Sequence, residues 1–265
     1  MRPLIALLTD FGTRDPYVAQ VKGVIASRCD GEIADLTHEI APYDVAEGAF
    51  FLRDVAASLR GGRQVIVVAV VDPGVGSARR LLAAIDDGVT FLAPDNGLLS
   101  LVLGPEAVVH EIANETFFLP AASSTFHGRD RLAPVAAALA RGVAIDELGA
   151  RVDRRSIVAL DYVPPSYDER VAIGTVTAID RFGNVATDLD PACIGGIGGV
   201  TLEVRGVKVS RSGETYAAMA GTLDPFLIVG SRGTIEVSVS GGNAATLLRA
   251  KLLDRVRITG TGERR

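Results

Sequence analysis

The stretch QVIVVAVVD (Gln64–Asp72) drives a run of apolar residues into an acid, and Pro-Gly-Val-Gly follows at once. A short apolar run of this kind, bounded by turn residues, reads as a buried strand. The acid falls just past the strand's carboxyl end, where open α/β sheets present functional groups. An Asp there also starts a turn by accepting hydrogen bonds from backbone two residues on. The stretch by itself leaves both roles open.

The same rhythm fills the first 160 residues. LIALLTDFG is a buried strand ending at Asp10, and YVAQVKGVIASRC follows with Val18, Val21, Val24 and Ile25 at helical spacing. EIADLTHEI reads as a second strand leaving at Thr37-His38, and DVAEGAFFLRDVAASLRGG as a helix stopped by Gly-Gly. LLAAIDDGVTFLAPDNG is a hairpin turning at Asp87-Gly88. RLAPVAAALARG is a helix with Pro134 in its first turn and Gly142 past its end. Strands alternating with helices predict a layered α/β domain with a largely parallel sheet over residues 1–160.

DYVPPSYDER (161–170) breaks the pattern and reads as a semi-rigid linker. Beyond it, VAIGTVTAIDRFGNVATDL, VTLEVRGVKVS and TIEVSVSGG are β-branched runs between Gly turns. They predict a smaller antiparallel, barrel-like β domain over 171–265, with a short helical pattern in NAATLLRAKLL.

Composition narrows the partners. Hydrophobic residues make up 48% of the 265 and charged ones 22%, with a net charge of −5 and no basic cluster. Nucleic acid and anionic membranes are poor partners for such a surface. Cys29 and Cys193 stand far apart without metal-type spacing, so neither a disulfide framework nor a metal site is expected. The first apolar run is broken at Asp10 and reads as a strand, not a signal peptide. No apolar run reaches the ~18 residues of a membrane span. The expected compartment is the cytoplasm.

Polar residues at strand ends and in loops are the candidates for chemistry. They are Asp10, the pair Asp72 and Arg79, and TFHGRD with His127, Arg129 and Asp130. The second domain adds DRFGN (180–184) and GSRG (230–233). Each has a structural alternative. Asp130 caps the helix after it, Arg129 pairs with it at the surface, Asn184 sits in a turn at positive φ, and His127 is a core histidine.

In combination these blocks resemble the S-adenosyl-L-methionine (SAM) hydroxide adenosyltransferases, homologues of the fluorinase and chlorinase that attack the same substrate with halide. The likeness rests on TDFGTRDPYVAQVKG, DLTHEIAPYDV, VVDPGVGSARR, APDNGLLS, SSTFHGRDRLAPVAA, IDRFGNVATD and GSRGTIEV with GGNAA, in that order along the chain. It implies that Asp72, Arg79 and His127 hold a water beside C5′ of the substrate, a polar trio that the halogenating relatives lack. It also implies that Asp10 accepts from the ribose hydroxyls and that Phe11 and Tyr17 flank the sugar or the sulfonium. By the same resemblance, Phe182 is expected to stack on adenine, Asn184 to hydrogen-bond the purine, and Ser231 and Arg232 to hold the methionine end. A homotrimer is implied, with each site between one subunit's first domain and its neighbour's β domain. Two positions depart from the family pattern: Asp188 and Gly230 each stand where Asn is usual.

The chemistry so implied is hydrolysis of SAM to adenosine and L-methionine. The sulfonium leaves as a neutral thioether, so neither an acid, a metal nor a cofactor is called for. Full proton transfer from free water (pKa ~15.7) is uphill by roughly 16 kcal/mol to a carboxylate near 3.9 and roughly 12 kcal/mol to a histidine near 6.5. The trio is therefore expected to orient one water in line with the C–S bond, with the proton accepted late by Asp72 or His127. The alternatives are a halogenase and a non-catalytic SAM- or adenosine-binding protein. Against the first, a carboxylate about 4 Å from a halide repels it by about 4 kcal/mol at intermediate dielectric.

Overall fold

The computed structural model describes residues 1–120 and 123–260, which fall into two compact units, Met1–Leu160 and Asp161–Arg265. Among the described residues no helix is long and apolar enough to cross a membrane.

The first unit contains strands β1 (Leu4–Thr9), β2 (Glu32–Thr37), β3 (Val65–Val70), β4 (Leu81–Asp86), β5 (Val89–Pro94) and β6 (Val108–Glu111). Its helices are α1 (Tyr17–Ala26), α2 (Val45–Leu59) and α3 (Ala133–Ala140). The sheet order is β2-β1-β3-β5-β4-β6. β1 runs parallel to β2 and β3, and β3 to β5, whereas β4 is antiparallel to β5 and β6. The antiparallel step is the predicted hairpin. Asp87 (φ 45°) and Gly88 (φ 79°) make the left-handed two-residue turn that such a connection favours.

Alternate residues of the central strands feed opposite faces. Ala6, Leu8, Val65, Val67 and Ala69 pack with Leu52 and Ala56 of α2. Ile5, Leu7, Ile66, Val68 and Val70 pack with Val21 and Ile25 of α1 and Val135, Ala136 and Leu139 of α3. A sheet covered on both faces explains why these strands read as continuous apolar runs. α2 starts at Asp44, whose carboxylate accepts from Glu47 N at 2.9 Å. Gly48 lets this helix lie close to the sheet: a Cβ there would stand 2.8 Å from Leu98 Cδ1.

The chain passes from β1 to β2 on one side and then to β3 on the other. The carboxyl ends of β1 and β3, paired up to Thr9 opposite Val70, therefore flank the point where strand order reverses. Ligand crevices in open α/β sheets form at such a point. Asp10 and Asp72 both emerge there.

The second unit is an antiparallel, barrel-like sheet. Its strands are β7 (Ser166–Tyr167), β8 (Val171–Ile179), β9 (Val185–Thr187), β10 (Thr201–Val204), β11 (Val207–Val209), β12 (Phe226–Val229), β13 (Ile235–Ser238) and β14 (Arg255–Thr259), in the order β11-β10-β14-β8-β9-β13-β12 with β7 beside β8. Val176, Val185, Leu202, Leu227, Val237 and Ile258 fill its core. The segment read as a linker contributes to this sheet. Ser166 and Tyr167 pair with Ile173 and Ala172, and Tyr162 donates to Asp188 at 2.8 Å. The late helical pattern forms only α4 (Ala244–Leu248), capped by Asn243 and stopped by Arg249 at φ 53°.

Candidate active site

A pocket of about 610 Å³ opens at the β1–β3 switch point. Asp10, Phe11, Tyr17, Asp72 and His127 all line it, joined by Tyr43, Phe126 and Arg129. Its size falls in the range of small-molecule sites.

Asp72 leaves the sheet just after β3, and Arg79 returns seven residues later. Arg79 Nε donates to Asp72 Oδ1 at 2.6 Å while Nη2 donates to the second carboxylate oxygen. The same Nη2 lies 3.1 Å from His127 Nδ1. The pair is nearly sealed from solvent, with side-chain exposures of 9% for Arg79 and 6% for Asp72. Arg79 is not on the pocket wall, but both of its partners are. Its Nη1 is buried and has no hydrogen-bond partner among the described residues.

Arginine only donates, so His127 Nδ1 is the acceptor and the neutral ring carries its proton on Nε2. Burial pushes the His127 pKa below its usual value, and the positive charges of Arg131 and Arg79 push the same way. His127 stands directly before a π-helical turn, Gly128–Leu132, that leads into α3. One extra residue per turn re-aims side chains, and such turns gather at functional sites.

Asp130 does not cap the helix after it. Its carboxylate, 1% exposed, accepts from Ser123 N and Arg129 Nε, each at 2.6 Å, and so ties the loop before His127 to the π turn. Nor is Arg129 a loose surface partner. It lies 4.8 Å over the Phe126 ring and donates to Gln20. Phe11, Tyr17 and Phe126 meet edge to face with centroids 5.3–5.7 Å apart. An aromatic wall of this kind suits a cation.

Asp10 Oδ2 accepts from Tyr43 N at 2.9 Å, and Tyr43 holds φ at 69°, uncommon for a residue of its size. Thr9 Oγ1 meets His38 Nδ1 at 2.8 Å and accepts from Phe11 N at 3.2 Å, bracing the Asp10–Phe11 turn. The residues that sequence reasoning missed here, Phe126 and Tyr43, lie inside the quoted blocks TFHGRD and APYDV. Phe126 was signalled by adjacency to His127, whereas Tyr43 has no chosen neighbour and only its place in the quoted block marked it.

The remaining candidates lie in the second unit on two turns that bracket β13. Phe182 and Asn184 sit between β8 and β9, and Ser231 and Arg232 between β12 and β13. Asp180 organises the first turn, accepting from Phe182 N, Asn184 N and Asn184 Nδ2 at 2.8–2.9 Å. The positive φ in this turn belongs to Gly183 (86°), not Asn184. Phe182 is 76% exposed, and Ser231 and Arg232 are exposed as well.

Two family models match the chain: the SAM hydroxide adenosyltransferase N-terminal domain over residues 5–149 and the corresponding C-terminal domain over 174–257. The chain belongs to the SAM hydroxide adenosyltransferase family. It is 38% identical over 267 residues to a protein from Thermus thermophilus named (R)-S-adenosyl-L-methionine hydrolase, covering 95% of this chain and 97% of that one. A fluorinase from an Actinoplanes species is 29% identical, covering 92% of each chain. Among solved structures, an uncharacterised conserved protein from Thermotoga maritima matches with a TM-score of 0.86 at 30% identity, over 96% of this chain and 99% of that one.

The two positions that the resemblance marks as departures each have a local structural role. Asp188 accepts from Thr175 N at 2.7 Å and from the Tyr162 hydroxyl, which fixes it as a brace inside the second unit. At Gly230 a Cβ would stand 1.8 Å from Glu236 Oε1. The Glu236 carboxyl fills the space that a side chain at 230 needs.

Proposed function

We propose that this chain is an (R)-SAM hydrolase in which water displaces L-methionine from C5′ of the substrate, giving adenosine. The observation that carries the reading is the Asp72–Arg79–His127 contact, with Asp72 and His127 on the wall of one pocket. Full-length likeness to proteins named as hydrolases supports it.

The reaction needs one oxygen placed in line with the C–S bond. Asp72 accepts a hydrogen bond from that water through a lone pair that Arg79 leaves unused. Arg79 acts through its two partners, its fork fixing the Asp72 carboxylate and its Nη2 fixing the His127 ring, and its positive charge lowers the cost of hydroxide character on the water. Neutral His127 has Nδ1 occupied by Arg79, so it serves as an Nε2–H donor, and Asp72 takes the proton late. The new bond joins water oxygen to C5′. The C5′–S bond breaks and its electron pair stays on sulfur, which leaves uncharged. Asp10 holds the ribose hydroxyls, and Phe11 and Tyr17 face the sugar and the sulfonium. Phe182 and Asn184 receive the purine, and Ser231 and Arg232 receive the methionine carboxylate.

A halogenase would place a carboxylate against an incoming anion, which argues for water as the nucleophile. We further propose a cytoplasmic homotrimer in which the second unit of one subunit completes the pocket of its neighbour. The exposed Phe182 supports this. Incubation with SAM, followed by chromatography for adenosine and methionine, tests the activity. Added chloride yielding 5′-chloro-5′-deoxyadenosine would point instead to the halogenase. Sedimentation showing a fully active monomer would refute the trimer.

A further inference from the structure

The loop that carries Asp72 and Arg79 leaves β3 after Val70 and re-enters the sheet at β4. Both of its ends are tied to a single turn, Asp95–Asn96, which follows β5, the strand lying between β3 and β4. At the entry end Asn96 Nδ2 donates to the Val71 carbonyl at 2.8 Å, one residue before Asp72. The β3–β5 register stops at Val68 opposite Leu92, short of Val71, so a side-chain amide holds the chain where this ladder has ended. At the exit end Arg80, next to Arg79, donates Nε and Nη2 to Asp95 Oδ2 at 2.9 and 2.6 Å. Asp95 N donates back to the Arg80 carbonyl at 3.0 Å. Asp95 is itself anchored, with a side chain 3% exposed and Oδ1 accepting from Val158 N. Asn96 Oδ1 accepts from Leu98 N at 3.2 Å and closes its own turn. Neither Asp95 nor Asn96 lines the pocket.

We propose that Asp95 and Asn96 act as a buckle that sets the distance and facing of Asp72 and Arg79, making Asn96 a positioning residue for the reaction. This rests on the roles given above to Asp72 and Arg79. Two glycines leave the Pro-Gly-Val-Gly loop between them adaptable, so the ties at its ends act together with the Asp72–Arg79 fork to set where the pair faces the pocket. A small displacement of a reacting group is enough to lower turnover severely.

The test compares Asn96→Asp with Asn96→Ala in the full-length protein. Asn96→Asp keeps the acceptor for Leu98 N but turns an acceptor toward the Val71 carbonyl, whereas Asn96→Ala removes both bonds. Both variants should lower kcat roughly ten- to hundredfold while KM for SAM stays within about threefold of wild type. The nitrogen-15 signal of Arg79 Nε–H, assigned by its loss in Arg79→Lys, should shift and exchange faster with solvent. Asn96→Asp is nearly isosteric and carries the test if Asn96→Ala does not fold. A folded Asn96→Asp protein with wild-type kcat and an unmoved Arg79 signal overturns the proposal. A wild-type protein that forms no adenosine overturns the assigned reaction instead, and the Arg79 signal then decides the positioning role alone.

Discussion

Arg79 holds Asp72 from two sides at once, with Nε on Oδ1 at 2.6 Å and Nη2 on Oδ2, in a pair almost closed to solvent. Fork-to-fork pairing fixes the plane of the carboxylate as well as its position. A carboxylate so fixed meets a water at a defined angle, which is what an in-line displacement requires.

Replacing the acceptor should separate chemistry from binding. Asp72→Asn keeps the shape and one oxygen but loses the charge that draws the proton. Turnover should fall by roughly a hundredfold or more, while SAM affinity by calorimetry stays near that of wild type. Wild-type turnover in this variant would remove Asp72 from the mechanism.

The pH dependence follows from His127. Its folded pKa is lowered by burial and by Arg131 and Arg79, so between that lowered value and the usual value of about 6.5 the unfolded chain binds a proton that the native state does not. Stability should therefore rise with pH through this window and stop rising above about pH 6.5. Turnover should hold through neutrality and fall on the acid side, as a protonated ring can no longer accept from Arg79. In His127→Asn, thermal melts across pH should lose this component. Melts of the same slope in both proteins would contradict the assignment.

Glu236 predicts the opposite sign. Burial raises its carboxyl pKa, countered by Arg232 and the Tyr216 hydroxyl. The native state thus retains a proton that the unfolded chain has released. The stability it contributes is present at low pH and is lost as pH rises through the raised value. Glu236→Gln removes this loss, so its Tm should exceed that of wild type at pH 8 and converge with it in acid. A variant less stable than wild type at pH 8 would show that the charged carboxylate is well accommodated.

Much of the fold was legible because its signals are local. The β4–β5 hairpin followed from Asp87-Gly88, α2 from Asp44 with its Gly-Gly stop, and α3 from Pro134 and Gly142. The two-residue strand at Ser166–Tyr167 was not legible, because pairing with β8 overrides what two prolines suggest locally. The trio was grouped by the family resemblance and not by any local pattern, and the structure brings its three side chains into contact. Its supports were not legible, since Asp130, Tyr43 and Asp180 act through backbone bonds that no spacing announces.

Phe182 offers a test in the second unit. It is 76% exposed, so Phe182→Ala should leave the fold and melting temperature unchanged. Loss of a stacking face is worth roughly 1–3 kcal/mol, so KM for SAM should rise by about five- to 150-fold. An unchanged KM would place the purine elsewhere.

The central claim is that water is the nucleophile at C5′. Incubation of the protein with SAM in oxygen-18 water, with mass spectrometry of the adenosine formed, tests it most directly. The account predicts adenosine carrying the heavy oxygen on C5′, together with unlabelled L-methionine. Adenosine formed without the label would contradict it.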